Sequence, residues 1–155
     1  MSSPQASTGL LPAGHIGLNV SNLNRASDFY SRVFGLELLN KSEAEDRKFA
    51  FLGSKEQIVL TLWQQSAGRA NHKQPGLHHL SFQAASVEQV QRAEAQLKSL
   101  GVKFYYHGIV PHVEGADSGG IFFEDPDGIR LEIFAPAGVK ELNAKATHGP
   151  ACGFF

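Results

Sequence analysis

The chain has 155 residues, 42% of them apolar and 19% charged, which is ordinary for a globular protein and enough for one domain with a real core. Its net charge of −1 gives no electrostatic case for binding nucleic acid or an anionic membrane. No apolar run approaches the roughly 20 residues of a membrane helix, and the N-terminus lacks the basic-then-apolar layout of a signal peptide. The only cysteine is Cys152, so no intramolecular disulfide can form, which fits a cytoplasmic protein.

Residues 1–11 read as a loose tail. His15-Ile16-Gly17-Leu18-Asn19-Val20 then alternates as a strand, with Ile16, Leu18 and Val20 on one face and His15, Gly17 and Asn19 on the other. Ser21 or Asn22 can cap a helix whose apolar stripe is Ala26, Phe29, Tyr30, Val33 and Phe34, and Gly35 ends it. Leu36–Leu39 starts a strand, Glu43–Lys48 is a charged turn, and Phe49–Leu52 and Ile58–Trp63 form a hairpin. Gln64–Gly76 is polar, carries Gly and Pro, and reads as a linker.

The pattern then restarts. His78–Gln83 is a strand, and Ser86 caps a helix carrying Val87, Val90, Ala93, Leu97 and Leu100, closed by Gly101. Val102–Tyr106 is a strand and His107–Ser118 a loop. Ile121–Phe123 and Ile129–Phe134 flank the turn Asp125-Pro126-Asp127-Gly128, where Pro presets one φ angle and Gly supplies a positive one. The residues after Pro136 read as a tail.

The chain thus contains one unit twice: strand, helix, strand, hairpin. Laying Phe49–Gly53 on Ile121–Asp125 without a gap puts Leu60 on Glu132, and His15 falls on His79. This predicts an α+β fold of two βαβββ modules forming a cupped mixed sheet. Its boundaries are module one at 12–63, linker at 64–76, module two at 77–136 and a C-terminal tail at 137–155.

Glu132 lies on the strand face opposite Leu131 and Ile133, beside Arg130 and Phe134. A carboxylate there faces water, pairs with a cation or binds a metal. His15 and His79 lie likewise opposite apolar residues, at equivalent places in the two repeats. If the helices cover the apolar faces, His15, His79 and Glu132 project from the concave one. Two imidazoles and a carboxylate suit a divalent first-row metal, and with open positions they suit non-haem Fe(II) oxygen chemistry.

The stretches GHIGLNVSNLNRASDFYSRVFGLEL, HHLSF and FFEDPDGIRLEIF resemble the vicinal oxygen chelate superfamily over residues 13–136. That superfamily includes glyoxalase I, methylmalonyl-CoA epimerase, extradiol dioxygenases, fosfomycin-resistance enzymes and bleomycin-binding proteins. The resemblance implies a metal held by His15, His79 and Glu132. Fe(II) is favoured, with Mn(II), Zn(II) or Ni(II) as alternatives. It implies a small-molecule substrate whose two vicinal oxygens chelate the metal, and a homodimer.

In this mapping the fourth family position falls on Leu60, or on Thr61 after a slip of one residue, and neither is the carboxylate or amide used in isomerisation. The loop HVEGADSGG carries no cation to grip a phosphonate. His112, Ile121-Phe122, the Asp-Pro turn and Glu132 follow the order of an extradiol signature, although its Tyr is Phe122 here. Dioxygenase-like chemistry is therefore expected, with His107 or His112 as acid or base. The alternatives are a glyoxalase-type isomerase or lyase, and a non-catalytic antibiotic-binding protein. Asn19, Phe51, Leu60, Trp63, Tyr105 and Phe122 are the expected substrate pocket.

Overall fold

The structure is a computed structural model and describes residues 9–143. The first module comprises β1 (Ile16–Asn19), α1 (Leu23–Phe34), β2 (Glu37–Ala44), β3 (Arg47–Ser54) and β4 (Gln57–Trp63). The second comprises β5 (Leu80–Gln83), α2 (Val87–Ser99), β6 (Val110–Pro111), β7 (Gly119–Glu124) and β8 (Arg130–Ala135), followed by α3 (Val139–Asn143). Each module forms its own four-stranded sheet, in the orders β1-β4-β3-β2 and β5-β8-β7-β6. In both, the first strand runs parallel to the last, and the remaining pairs are antiparallel.

The helices follow from local chemistry. Asn22 caps α1 by accepting the Arg25 amide at 2.9 Å, and Gly35 closes it with φ 65°, a conformation glycine adopts without strain. The α1 stripe is buried as its period requires, with Tyr30 fully enclosed. Tyr30 stacks on Phe34, and Phe34 stacks on Phe82 of β5 with ring centroids 4.0 Å apart. The aromatic chain carries the core from one module to the other, so the apolar faces of both sheets and both helices share one cluster.

Polar contacts lock the same interface. Tyr30 donates to Asp125 Oδ2 at 2.9 Å, while Asp127 accepts from the Ser21 amide and from Arg25, each at 2.8 Å. The Asp-Pro turn of the second module is therefore seated on the start of α1. The linker is pinned to that turn as well: the Ala70 amide donates to the Asp127 carbonyl, and His72 Nε2–H donates to the Gly128 carbonyl at 2.7 Å.

Three expectations change. Val102–Tyr106 is not a strand; it meets β7 through a single bridge, Phe104 to Phe123, and β6 takes over the β7 edge only at Val110–Pro111. Gly108, with φ 71°, breaks the segment between them. A short helix, α3, stands where a tail was expected. The third change concerns register. Leu60 pairs with Ile16 and Leu52, is fully buried and faces the helices. Thr61 pairs with Gly17 and Phe51, as Glu132 pairs with Ser81 and Phe122. The structural counterpart of Glu132 is therefore Thr61, and Leu60 belongs to the core rather than to a pocket. Cys152, Phe154 and Phe155 lie outside the described residues.

Candidate metal and substrate site

On β8, Arg130, Glu132 and Phe134 share the face turned away from the core. Glu132 is 2% exposed. His112, just beyond β6, has Nε2 2.6 Å from Glu132 Oε1, and His79, just before β5, has Nε2 3.6 Å from Glu132 Oε2. Where the Glu132 carboxylate accepts this bond, the His112 proton sits on Nε2. In the neutral ring Nδ1 then accepts from the Ser118 hydroxyl at 2.9 Å. The loop is closed again by the His112 amide donating to the Ser118 carbonyl at 3.0 Å.

Burial pushes the His79 imidazole below its ordinary pKa. Glu132 pulls the other way, and His78, Arg130 and His112 add to the depression. The result favours the neutral ring, the form that ligates a metal. The Nδ1 atoms of His78 and His79 lie 2.8 Å apart, so one ring donates to the other and orients it.

His15 is elsewhere. It is exposed and makes no hydrogen bond or ion pair among the described residues. Among those residues no three His, Cys, Asp or Glu side chains are placed to hold a metal ion together. The chain therefore brings together two of the three expected ligands, His79 and Glu132, and adds His112. The pair is of a kind that suits a hard or borderline divalent cation, and the described residues place no third ligand beside it.

The face of the first sheet that carries His15 also carries Asn19, Phe49, Phe51, Thr61 and Trp63. Phe49 stacks on Phe51 at 4.7 Å, and Trp63 tilts against Phe49 at 5.5 Å while its indole N–H donates to the Thr61 hydroxyl. Asn19 Oδ1 accepts the Gln65 amide. Of the remaining expected residues, Phe122 lies across from Glu132 and packs on Tyr106, and His107 is exposed, outside the Glu132 cluster.

Tyr105 donates to Glu124 at 2.6 Å, and Lys103 and Arg69 each reach the same carboxylate at 2.9 Å. These bonds and charges hold Glu124 below the usual carboxylate range against the opposing effect of its burial. Glu124 pairs in register with Arg130, whose guanidinium lies over the Tyr105 ring. This network escaped the sequence reading. Its one signal was the spacing Lys103-x-Tyr105, which puts both side chains on one side of an extended segment.

Paired βαβββ modules, with a carboxylate on the β8 face away from the core and imidazoles at the ends of neighbouring strands, define the class. The chain belongs to the Glyoxalase/Bleomycin resistance protein/Dioxygenase superfamily, whose description matches residues 13–133. It is 31% identical over 138 residues to a trivalent organoarsenical cleaving enzyme of Bacillus sp. (strain MD1), covering 89% of this chain and 80% of that protein. It is 30% identical over 128 residues to a lactoylglutathione lyase of Escherichia coli O157:H7, covering 77% of this chain and 88% of that protein. The fold is shared with a variant of the fosfomycin resistance protein FosX from Listeria monocytogenes, crystallised with Mn(II) and 1S,2S-dihydroxypropylphosphonic acid. That match has a TM-score of 0.63 and 23% identity, covering 89% of this chain and 99% of that one. Among the described residues no helix is long and apolar enough to cross a membrane.

Proposed function

We propose that this protein is a metal-dependent enzyme acting on a small molecule with two vicinal oxygens, by dioxygenase-like chemistry. Its site would be completed by a second copy of the chain. The observation that carries the reading is the buried Glu132 carboxylate with His79 and His112 on its two oxygens. His79 and Glu132 of one protomer would hold the metal together with His15 of its partner. A bound divalent ion, Fe(II) first and Mn(II), Zn(II) or Ni(II) as alternatives, supplies Lewis acidity toward the two substrate oxygens.

The chain's own groups do the rest. His112 Nε2 holds a proton beside Glu132 and is the acid or base within reach, and Ser118 fixes its tautomer. Thr61, at the corner opposite Glu132, offers no carboxylate for shuttling a carbon-bound proton. That argues for the dioxygenase-like reading over a lactoylglutathione lyase type of isomerisation. Carbon–arsenic cleavage asks for soft ligands to trivalent arsenic, and the single cysteine is a poor basis for them. A second reading, a non-catalytic ligand-binding protein, is favoured by the Phe49–Phe51–Trp63 wall.

Metal analysis of protein purified without added chelator tests the proposal. The expectation is about one metal per chain in the wild type and none in His15→Ala, His79→Ala or Glu132→Ala. Mixing unfolded His15→Ala and His79→Ala chains and refolding them should restore about a quarter of the wild-type metal, because half the dimers pair one intact set. Anaerobically loaded Fe(II) protein should then consume O₂ with a catechol. Absence of metal in the wild type, before and after reconstitution, would sink the enzyme reading and leave the binding protein. Full metal in His15→Ala would sink the shared site.

A further inference from the structure

Ser118 and His112 face each other across the loop between β6 and β7. The Ser118 hydroxyl donates to His112 Nδ1 at 2.9 Å, and His112 Nε2 lies 2.6 Å from Glu132 Oε1. A hydroxyl, an imidazole and a carboxylate are thus joined in series, at the separations that a nucleophile, its base and an orienting acid require. The ring nitrogens are exchanged relative to the common serine hydrolase arrangement, in which the hydroxyl meets Nε2 and the acid meets Nδ1. The roles carry over, because both nitrogens belong to one conjugated ring. Several contacts hold the series in place. The His112 amide donates to the Ser118 carbonyl at 3.0 Å, and the Phe134 ring packs 5.2 Å from the imidazole. Gly115 turns the loop with φ 75°, and α3 pins Asp117 through the Val139 and Lys140 amides at 2.9 and 3.1 Å. Glu132 is buried whereas Ser118 is half-buried, so the hydroxyl is the end that a ligand can reach. The carboxylate serves two neighbours with separate oxygens, since His79 approaches Oε2.

We propose that Ser118 is a nucleophile and gives the protein a second, metal-independent activity: acyl transfer from small activated esters. Ser118 Oγ attacks the ester carbonyl carbon while its proton passes to His112 Nδ1, and the carbonyl electron pair moves onto oxygen. Glu132 stabilises the imidazolium through Nε2. The Ser118 amide makes no hydrogen bond among the described residues and is a donor for the new oxyanion. Collapse of the tetrahedral adduct breaks the ester C–O bond, and the leaving alcohol takes the proton from Nδ1. Water, giving a proton to the same Nδ1, then adds to the acyl-serine and releases the acid and the free hydroxyl. No oxidant, reductant or metal enters the sequence.

The test treats the full chain with EDTA and exposes it to p-nitrophenyl acetate and, separately, to phenylmethanesulfonyl fluoride. Peptide mass mapping should find the acetyl or sulfonyl group on Ser118, with a burst of about one p-nitrophenolate per chain. Ser118→Ala should lose the label and the burst. His112→Ala should slow both by about 10²–10⁴-fold, the range of general base catalysis. Glu132→Gln should slow them as much, because an amide N–H facing Nε2 moves the ring proton to Nδ1 and takes the base away. Ser118→Cys should recover acetylation at position 118, which separates loss of the nucleophile from loss of the fold. Labels confined to other side chains, a rate unchanged in Ser118→Ala, or labelling of Ser118 that ignores His112→Ala would overturn the inference and leave Ser118 with its part in fixing the His112 tautomer. Hydrolysis seen only before EDTA treatment would overturn it as well, since the metal and not Ser118 would then activate the attacking group.

Discussion

Replacing Asp127 by Ala should destabilise the protein by about 3 kcal/mol, through the seam between the modules. The Asp127 side chain is 7% exposed and accepts from the Ser21 amide, the Ser21 hydroxyl and Arg25. Removing it leaves a backbone donor and a hydroxyl without their acceptor, at about 1–3 kcal/mol for groups of this kind. The Arg25 guanidinium is half exposed, so solvent screens that pair and its loss adds about 1 kcal/mol at most. Arg25→Ala alone should therefore cost under about 1 kcal/mol, and the double variant should be no worse than Asp127→Ala. Urea unfolding measures all three, and the melting temperature of Asp127→Ala should fall by about 6–12 °C. An Asp127→Ala variant within 1 kcal/mol of wild type, or an Arg25→Ala variant as damaged as Asp127→Ala, would refute the reasoning.

Leu60→Ala should cost about 2–5 kcal/mol in the same assay, because Leu60 is in the core; a cost under about 1 kcal/mol would return it to the open face. Gly120→Ala should cost about 3 kcal/mol, since a Cβ there would sit 2.2 Å from the Ile133 carbonyl oxygen; a stable, soluble variant would mean that β7 can shift. Burial pushes the Asp125 carboxyl above its ordinary range, beyond what its bonds from Ile129, Tyr30 and Asp127 restore. The folded state therefore holds that proton more tightly than the unfolded chain. This contribution to stability is present below about pH 4 and is lost as pH rises through the folded pKa. The stability difference between wild type and Asp125→Asn should shift against the wild type over that rise, and a shift in its favour would contradict the assignment.

Much of this was legible because the relevant signals are local. Asn22, Gly35 and Ser86 mark helix ends by their own side chains or backbone freedom, and the 3.6-residue stripe of α1 names its buried face. Histidines and a carboxylate opposite apolar residues could be assigned to faces in the same way. The Leu60 assignment failed for a reason local to β3 and β4. Phe49-Ala50-Phe51-Leu52 and Leu60-Thr61-Leu62-Trp63 are apolar on both faces, so polarity does not fix their parity, and a slip of one residue exchanges the faces. The register irregularity between Leu52 and Gly53 removes the remaining cue. The Glu124 network was hidden because its members come from 69, 103, 105 and 124, which only the pinned linker and the β7 edge bring together.

Face assignment also does not say which faces meet. Here Tyr30, Phe34, Phe82 and Phe123 join the two modules through their helix sides. The core is satisfied by this arrangement, and it sets His15 on one sheet apart from His79 and Glu132 on the other. Within one chain, closing the gap would mean opening the aromatic seam and releasing Asp127 from Ser21 and Arg25, at the cost estimated above plus the apolar area exposed. Under the proposed shared site, a second copy would meet the same demand without that cost. In the isologous dimer proposed above, each His15 face would meet the other chain's Glu132 face, which would build two equivalent sites and leave the seam intact. The aromatic wall of Phe49, Phe51 and Trp63 would then come from one protomer and the Glu132, His79 and His112 cluster from the other.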